Sequence, residues 1–118
     1  RGLGDVYKRQ TWYGSVPDCG SVCRMLTTAT GRKPLFLGKP QPAMAELALR
    51  RTGFSPEQAV MIGDRLYTDV ACGINAGIDS IFVLSGEGTE ADIAQYDIHP
   101  TWIFSDIAAL YRQLEETL

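Results

Sequence analysis

Short apolar runs alternate with stretches of helical periodicity along most of this chain. The run 59–62 is entirely apolar, as expected of a strand that is covered on both faces in a parallel sheet. Short apolar runs bounded by turn residues also predict strands elsewhere, namely over 34–37, 80–84 and 102–104.

Helix signals fill the segments between these runs. Asp18 predicts a helix cap and Gly31 a helix end, and the helix between them is expected to bury one apolar face, formed by Val22, Met25, Leu26 and Ala29. Further helices are predicted over 42–52, 68–77, 89–96 and 106–117, the last capped by Ser105, with a single helical turn over 55–57. Strands and helices in this order, joined by short links, predict an α/β fold with a Rossmann-like, doubly wound parallel sheet.

The composition is that of an ordinary globular protein of about one domain. Of the 118 residues, 45% are apolar and 21% are charged, and the net charge is −3. The chain has no basic stripe, which argues against a nucleic-acid partner. No apolar run approaches the roughly 18 residues of a membrane helix, which argues against a membrane partner.

The three cysteines are an odd number, which argues against a disulfide framework and for a reducing, cytoplasmic location. Cys19 and Cys23 lie four residues apart, on one face of the first predicted helix. A zinc site would need more ligands than these, and the only histidine, His99, is distant in sequence. We therefore interpret the cysteines as small buried apolar residues rather than metal ligands.

Residues 1–10, RGLGDVYKRQ, show no clear periodicity and no strand or cap signal. Read back into codons, they match a common sequencing-library adapter. We interpret this segment as an adapter artefact and leave it out of the fold prediction. The reading frame is then expected to begin inside a gene, with natural sequence from Thr11 onward.

Two carboxylates stand where an apolar run gives way to a helix. Asp64 follows the strand predicted over 59–62, at the carboxyl end where parallel α/β sheets bind ligands. Asp69 is expected in or near the first turn of the next helix, so that both acids meet at one rim. Such acids repel each other unless a cation is near, and Mg²⁺ prefers oxygen ligands of this kind. The alternative, which the spacing leaves open, is that they only cap the helix and complement its dipole.

Lys39 adds a cation to the same rim. It stands in LGKPQP, directly after one predicted strand and before a helix. An ammonium there could neutralise a phosphoryl oxygen and restrain the neighbouring carboxylates. The alternative for Lys39 is an ordinary solvated loop lysine.

Taken together, these motifs resemble those of the haloacid dehalogenase superfamily. Within it, the segment 37–89 is most similar to the group of ribonucleotide monophosphatases and 4-nitrophenylphosphatases. Lys39, in G-K-P, matches the third motif of that group. Gly63, Asp64 and Asp69 match its fourth motif, G-D-x-x-x-x-D, and the segments 83–86 and 100–110 follow its C-terminal pattern.

The resemblance implies a Mg²⁺-dependent phosphomonoester hydrolase, in which an aspartate attacks phosphorus and forms an aspartyl-phosphate that water hydrolyses. It implies that Asp64 binds Mg²⁺, that Asp69 supports the metal shell, and that Lys39 stabilises the phosphoryl group and the nucleophile. The implied substrate is a small phosphorylated metabolite: a nucleotide monophosphate, a sugar phosphate or an aryl phosphate. Cap-to-cap dimers occur in the group, so a homodimer of the full-length protein is one option.

The chain departs from the family pattern at the nucleophile, because no two of its aspartates are two positions apart and D-x-D-G-T is absent. The resemblance assigns 11–37 to the end of an inserted cap domain and 38–118 to the C-terminal part of the hydrolase core. We therefore predict a fragment without phosphatase turnover, with an exposed flank on the strand over 59–62.

Two other interpretations remain open from the sequence. One is a non-catalytic, stand-alone α/β domain that binds Mg²⁺ or a protein partner through the same rim. The other is a phosphotransferase or mutase of the same superfamily, which the motifs around Lys39 and Asp64 fit less specifically.

Overall fold

A computed structural model describes residues 8–117 of the chain. The chain divides into two compact units, Arg1–Leu37 and Gly38–Leu118. The division falls at the position where the cap and core segments are predicted to meet. Among the described residues, no helix is both long and apolar enough to cross a membrane.

The first unit opens with a two-stranded antiparallel hairpin, β1 (Lys8–Thr11) and β2 (Gly14–Pro17). The Thr11 hydroxyl donates to the Gly14 carbonyl across the turn, at 2.6 Å. The expectation of no strand within 1–10 is therefore wrong for residues 8–10, because an antiparallel ladder needs only backbone groups and a tight turn. Residues 1–7 of the segment interpreted as an adapter lie outside the described residues.

Helix α1 (Cys19–Thr30) follows, with the predicted cap and end. The Asp18 carboxylate accepts the Cys19 N–H at 2.7 Å, and Gly31 ends the helix in the left-handed conformation at φ 70°. The predicted burial of its apolar face is wrong, since Val22, Met25 and Leu26 are exposed. A unit of this size has too little apolar surface to cover a twelve-residue helix.

The segment 34–37 forms no strand, contrary to the prediction, and the Leu35 side chain is 84% exposed. A short apolar run becomes a strand only when another strand offers its backbone groups. Among the described residues, none is paired with this segment.

The second unit contains the three-stranded parallel sheet that the sequence predicts, which confirms the fold class. Strand order is β3 (Val60–Gly63), β4 (Asp79–Val83), β5 (Trp102–Phe104). The helices of this unit are α2 (Ala43–Thr52), a 3₁₀ turn (Pro56–Gln58), a π-helical turn (Leu66–Val70) that continues into α3 (Ala71–Ala76), α4 (Glu90–Tyr96) and α5 (Ile107–Thr117).

Helix α5 begins one residue later than predicted, and its cap differs. The Asp106 carboxylate accepts the Ala109 N–H at 2.7 Å, so Asp106 rather than Ser105 caps this helix. A carboxylate at this position reaches the third amide of the helix, which is the bond that a cap residue supplies.

The two faces of the sheet are covered unequally. On one face, Phe82 packs in a buried cluster with Leu66 and Val70. On the other, Ile81 and Val83 pack with Leu110 of α5, but Val60 and Ile62 of β3 stay 43% and 42% exposed. The prediction of burial on both faces is therefore wrong for β3, which among the described residues has one strand neighbour and lies at the sheet edge.

Candidate active site

The end of β3 and the turn after it form the centre of the candidate site. Gly63 ends the strand, and a Cβ on it would lie 2.2 Å from the Cβ of Asp69. No side chain fits at that distance, so the missing side chain of Gly63 allows the turn with Asp69 to close against the strand end. Asp64 follows directly, and both predicted acids therefore stand at the carboxyl end of β3.

Asp69 lies in the π-helical turn Leu66–Val70 and is buried. Its Oδ2 accepts the Arg65 N–H at 3.2 Å, and its Oδ1 accepts the ammonium of Lys39. The Lys39 side chain is 51% exposed and the Asp69 side chain 7%. The fold thus brings Lys39 into contact with Asp69, 30 positions away in sequence. The buried Asp69 carboxylate is held by the Lys39 ammonium and by the backbone amide of Arg65.

The loop that carries Lys39 is held by helix α3. Cys72 Sγ donates to the Gln41 carbonyl at 3.3 Å, and Asn75 Nδ2 donates to the Pro40 carbonyl at 2.8 Å. Neither of these positioning residues is among those predicted from the sequence. Their spacing of three on a predicted helix placed them on one face, which is a signal that these two polar groups share a neighbour.

The environment of Cys72 follows from this position. Burial raises the pKa of its thiol, the positive charge of Lys39 acts in the opposite direction, and the charge of Asp69 adds to the rise. Cys72 is therefore a protonated donor at neutral pH, which suits its bond to the Gln41 carbonyl.

Asp64 is held by a different loop, the one that follows β4. Its Oδ2 accepts the Glu87 N–H at 2.8 Å, and its carbonyl accepts the Gly88 N–H at 2.9 Å. A Cβ on Gly86 would lie 2.1 Å from Asp64 Oδ2, so this loop approaches closely because Gly86 has no side chain. The other oxygen, Oδ1, accepts no hydrogen bond from the described residues, and is available to a ligand.

The Glu87 side chain adds a second layer around Asp64. It pairs with the Arg65 guanidinium and accepts the Tyr67 hydroxyl at 3.1 Å, while the Tyr67 ring contacts Tyr96 with centroids 5.6 Å apart. These residues line a cavity of about 220 Å³ with Asp92. This cluster is not among the sites predicted from the sequence, because only the fold brings residue 87 next to residues 65 and 67.

The charges of the cluster support one another. Burial works against the ionised Arg65, but the adjacent Glu87 carboxylate outweighs it and raises the pKa of the guanidinium. Burial, and then the Glu87 charge and hydrogen bond, raise the pKa of Tyr67. Tyr67 therefore stays a neutral donor and Arg65 a cation throughout the physiological range.

The donors at this rim suit a hard cation such as Mg²⁺ in part. Asp64 offers a carboxylate oxygen at the strand end, and oxygen is the ligand that Mg²⁺ takes. Asp69 is engaged by Lys39 and Arg65, so it fits a supporting rather than a direct role. Within residues 8–117, no three His, Cys, Asp or Glu side chains cluster as a complete metal site. Of the two predicted acids, Asp64 is therefore the one with an oxygen that is open to a cation.

Similarity to known proteins covers most of the chain. Residues 36–110 match the model of the HAD-hydrolase-like family. The chain is 43% identical over 97 residues to a dihydroxyacetone phosphatase of Corynebacterium glutamicum, which covers 82% of this chain and 35% of that protein. The chain thus spans little more than a third of the length of this relative.

Two solved structures superpose on most of the chain. The 4-nitrophenylphosphatase of Thermotoga maritima is 40% identical with a TM-score of 0.80, over 90% of this chain and 41% of that one. The glycerol phosphate phosphatase of Mycobacterium tuberculosis, solved in complex with magnesium, is 37% identical with a TM-score of 0.74, over 88% and 32% of the two chains.

Proposed function

Because the chain belongs to the HAD-hydrolase-like family, we propose that it is the C-terminal part of a Mg²⁺-dependent phosphomonoester hydrolase that acts through an aspartyl-phosphate intermediate. One observation carries the proposal: Lys39 reaches across 30 residues to the buried Asp69, at the strand end where Asp64 presents an open oxygen. The names of the relatives, all phosphatases, support the same reaction class.

The proposal gives each residue a role that its contacts suit. Asp64, fixed by the Glu87 N–H, would be the ligand that this chain contributes to Mg²⁺. When bound, Mg²⁺ would neutralise negative charge on the phosphoryl oxygens. Asp69 would orient the Lys39 ammonium, which is half-exposed and can therefore reach a phosphoryl oxygen as well as Asp69. The Cys72 and Asn75 contacts would keep the loop of Lys39 in place.

The proposal also accounts for what the described residues do not supply. No D-x-D pair occurs in the sequence, so the nucleophile would come from a part of the whole protein outside these 118 residues. Residues 11–37 would be the end of its cap domain and 38–118 the C-terminal part of its core. Among the described residues β3 has one strand neighbour, and its other edge would pair with a strand of the same core.

The substrate of the whole protein would be a small phosphorylated metabolite. The proposed substrate classes are nucleotide monophosphates, sugar phosphates and aryl phosphates. A homodimer of the whole protein is also part of the proposal. A cytoplasmic location is proposed from the three thiols. The names of the relatives also differ in substrate, since they refer to dihydroxyacetone, 4-nitrophenyl and glycerol phosphate phosphatases.

Metal binding tests the role of Asp64 without any need for turnover. Mn²⁺ added to the chain should broaden the amide signals of residues 63–65 and 86–88, and Mg²⁺ should reverse the broadening. Asp64→Asn should abolish this selective effect. The matched control is Asp97→Asn, at an exposed aspartate in the left-handed conformation (φ 53°) that asparagine also adopts, and it should leave the effect intact. Equal broadening in both variants would contradict the proposal.

Activity tests the reaction class. The chain alone should not hydrolyse 4-nitrophenyl phosphate above the blank, with or without Mg²⁺, and turnover by the pure chain would overturn the assignment as a fragment. Joining the preceding part of the Thermotoga maritima enzyme to Gly38–Leu118 should give Mg²⁺-dependent hydrolysis. In that chimera Asp64→Asn and Lys39→Met should each lower kcat by about 10²-fold or more, whereas Asp97→Asn should not.

A further inference from the structure

Cys19 and Cys23 present two thiols on one side of α1, in the first unit, whereas the rim of β3 belongs to the second. All three cysteines of the chain are thiols, with Cys19 exposed and Cys72 buried. The interpretation of the cysteines as buried apolar residues is thus wrong for Cys19. The sulfur atoms of Cys19 and Cys23 are 3.9 Å apart, which brings two soft ligands together, one exposed and the other half-buried.

The distance between these sulfur atoms suits a shared cation better than a disulfide. Thiolates bind Zn²⁺ at about 2.3 Å, which places two of them about 3.8 Å apart across a tetrahedral angle. A disulfide needs about 2.05 Å between the sulfur atoms and about 3.8 Å between the Cβ atoms. On a helix, Cβ atoms four residues apart are about 5–6 Å from each other, so the helix favours chelation over oxidation.

The backbone around the pair is fixed at both ends of its helical turn. The Asp18 carboxylate accepts the Cys19 N–H at 2.7 Å. The Thr27 hydroxyl donates to the Cys23 carbonyl at 2.7 Å. A cation that binds both thiols therefore orders two short side chains on a helix that is already formed, which keeps the entropic cost of binding low.

We propose that Cys19 and Cys23 form a dithiolate site for a thiophilic cation of the zinc class, Zn²⁺ or Cd²⁺. One cation displaces the two thiol protons, which pass to solvent, and forms two metal–sulfur bonds. No third His, Cys, Asp or Glu of the described part of the chain joins them in a cluster. The remaining coordination positions are filled by water or by a small co-ligand.

A cavity of about 200 Å³ beside Cys23 provides room for that co-ligand. Arg24 and Lys33 line it together with Phe36. Their positive charges oppose a bare dication and favour one that carries an anion, such as chloride or the thiolate of a small thiol. The site therefore takes the cation in its partly complexed form.

Cadmium binding to the reduced 118-residue chain tests this proposal. Cd²⁺ should produce the ultraviolet charge-transfer absorbance of a cadmium thiolate and release about two protons per cation. Cys19→Ser and Cys23→Ser should each weaken Cd²⁺ binding by at least about tenfold and reduce the absorbance. Cys72→Ser is the matched control, because it removes a thiol from the second unit, and it should bind Cd²⁺ like the unaltered chain.

Circular dichroism of the variants separates loss of a ligand from loss of the helix, since serine at these two positions should leave the helical signal unchanged. The proposed Cys19–Cys23 site would be ruled out if Cys19→Ser bound Cd²⁺ as tightly as the unaltered chain, or if Cys72→Ser abolished the absorbance. Ready formation of a Cys19–Cys23 disulfide by oxidised glutathione, without Cd²⁺ binding to the reduced pair, would overturn it too. None of these measurements depends on the rim of β3 or on phosphatase activity.

Discussion

The two faces of the three-stranded sheet are built from similar apolar residues but are covered very differently. On one face Phe82 is fully buried with Leu66 and Val70. On the other, Val60 of β3 is 43% exposed, and a cavity of about 710 Å³ is lined by the strands together with α5. The well-packed face is the one that supports the candidate site.

Phe82 links that face to both predicted acids. The turn that carries Asp69 begins at Leu66, which belongs to the buried Phe82 cluster. The loop that holds Asp64 approaches the same ring, since a Cβ on Gly88 would lie 2.8 Å from Phe82 Cζ. The geometry of the rim therefore depends on the face of the sheet that carries Phe82.

Truncation of the two phenylalanines on opposite faces should show the largest difference. Phe82→Ala should cost about 3–5 kcal/mol of unfolding free energy, because a buried ring leaves a cavity, whereas Phe104→Ala, at a half-buried position beside the open cavity, should cost clearly less. Urea unfolding gives both values. Equal losses would show that the two faces are packed alike, against the comparison.

A methyl group at Gly63 should have the next largest effect. Gly63→Ala should cost about 1–3 kcal/mol, because the new Cβ overlaps the Cβ of Asp69 and the turn must move. Gly38→Ala is the matched control, since a Cβ there meets nothing within 4 Å. The chemical shifts of Asp69 should move in the first variant only. If Gly63→Ala changes neither the unfolding free energy nor these chemical shifts, the turn that carries Asp69 does not pack tightly against the end of β3.

Much of the second unit could be predicted from the sequence because its signals are local. Continuous apolar runs predicted β3, β4 and β5, and glycines in the left-handed conformation end α2 and α3 where expected, at Gly53 and Gly77. The resemblance to the haloacid dehalogenase superfamily, carried by the motifs around Lys39 and Asp64, is confirmed by the family match. Asp64 directly follows β3 as predicted, whereas no strand precedes Lys39, because the segment 34–37 forms none.

What could not be predicted depends on which neighbour the fold supplies. The apolar run 34–37 has the composition of a strand, but pairing requires a partner strand, which no local pattern specifies. The predicted burial of one face of α1 was wrong for the same reason, since no local pattern specifies which part of the chain covers a helix. The Glu87 cluster and the Cys72 and Asn75 contacts join residues 20 to 35 positions apart. The spacing of Cys72 and Asn75 places them on one helix face, but a single sequence does not specify which distant residues they contact.

The two ion pairs at the rim should differ in strength according to burial. Lys39→Met should cost about 1–3 kcal/mol, because it leaves the buried Asp69 carboxylate without its cation. Arg65→Met, which breaks a pair whose side chains are 44% and 53% exposed, should cost less than about 1 kcal/mol. A double-mutant cycle with Asp69→Asn checks that the larger cost belongs to the Lys39–Asp69 pair. If Arg65→Met costs as much as Lys39→Met, burial does not decide the strength.

The smallest expected effect concerns pH, and it tests whether Cys72 belongs to the packed face. Burial raises the pKa of the folded thiol above its unfolded value of about 8.5. The folded state then holds its proton more tightly, so the stabilisation from Cys72 is complete below that pH and is lost as pH rises through the raised pKa. Cys72→Ser keeps a donor for the Gln41 carbonyl but has no such titration.

Between pH 7 and pH 10 the unaltered chain should therefore lose more unfolding free energy than Cys72→Ser, by less than about 1.4 kcal/mol per unit of pH above the unfolded pKa. Identical slopes in urea unfolding would mean that the thiol is reached by solvent, and that the packed face does not extend to the loop of Lys39.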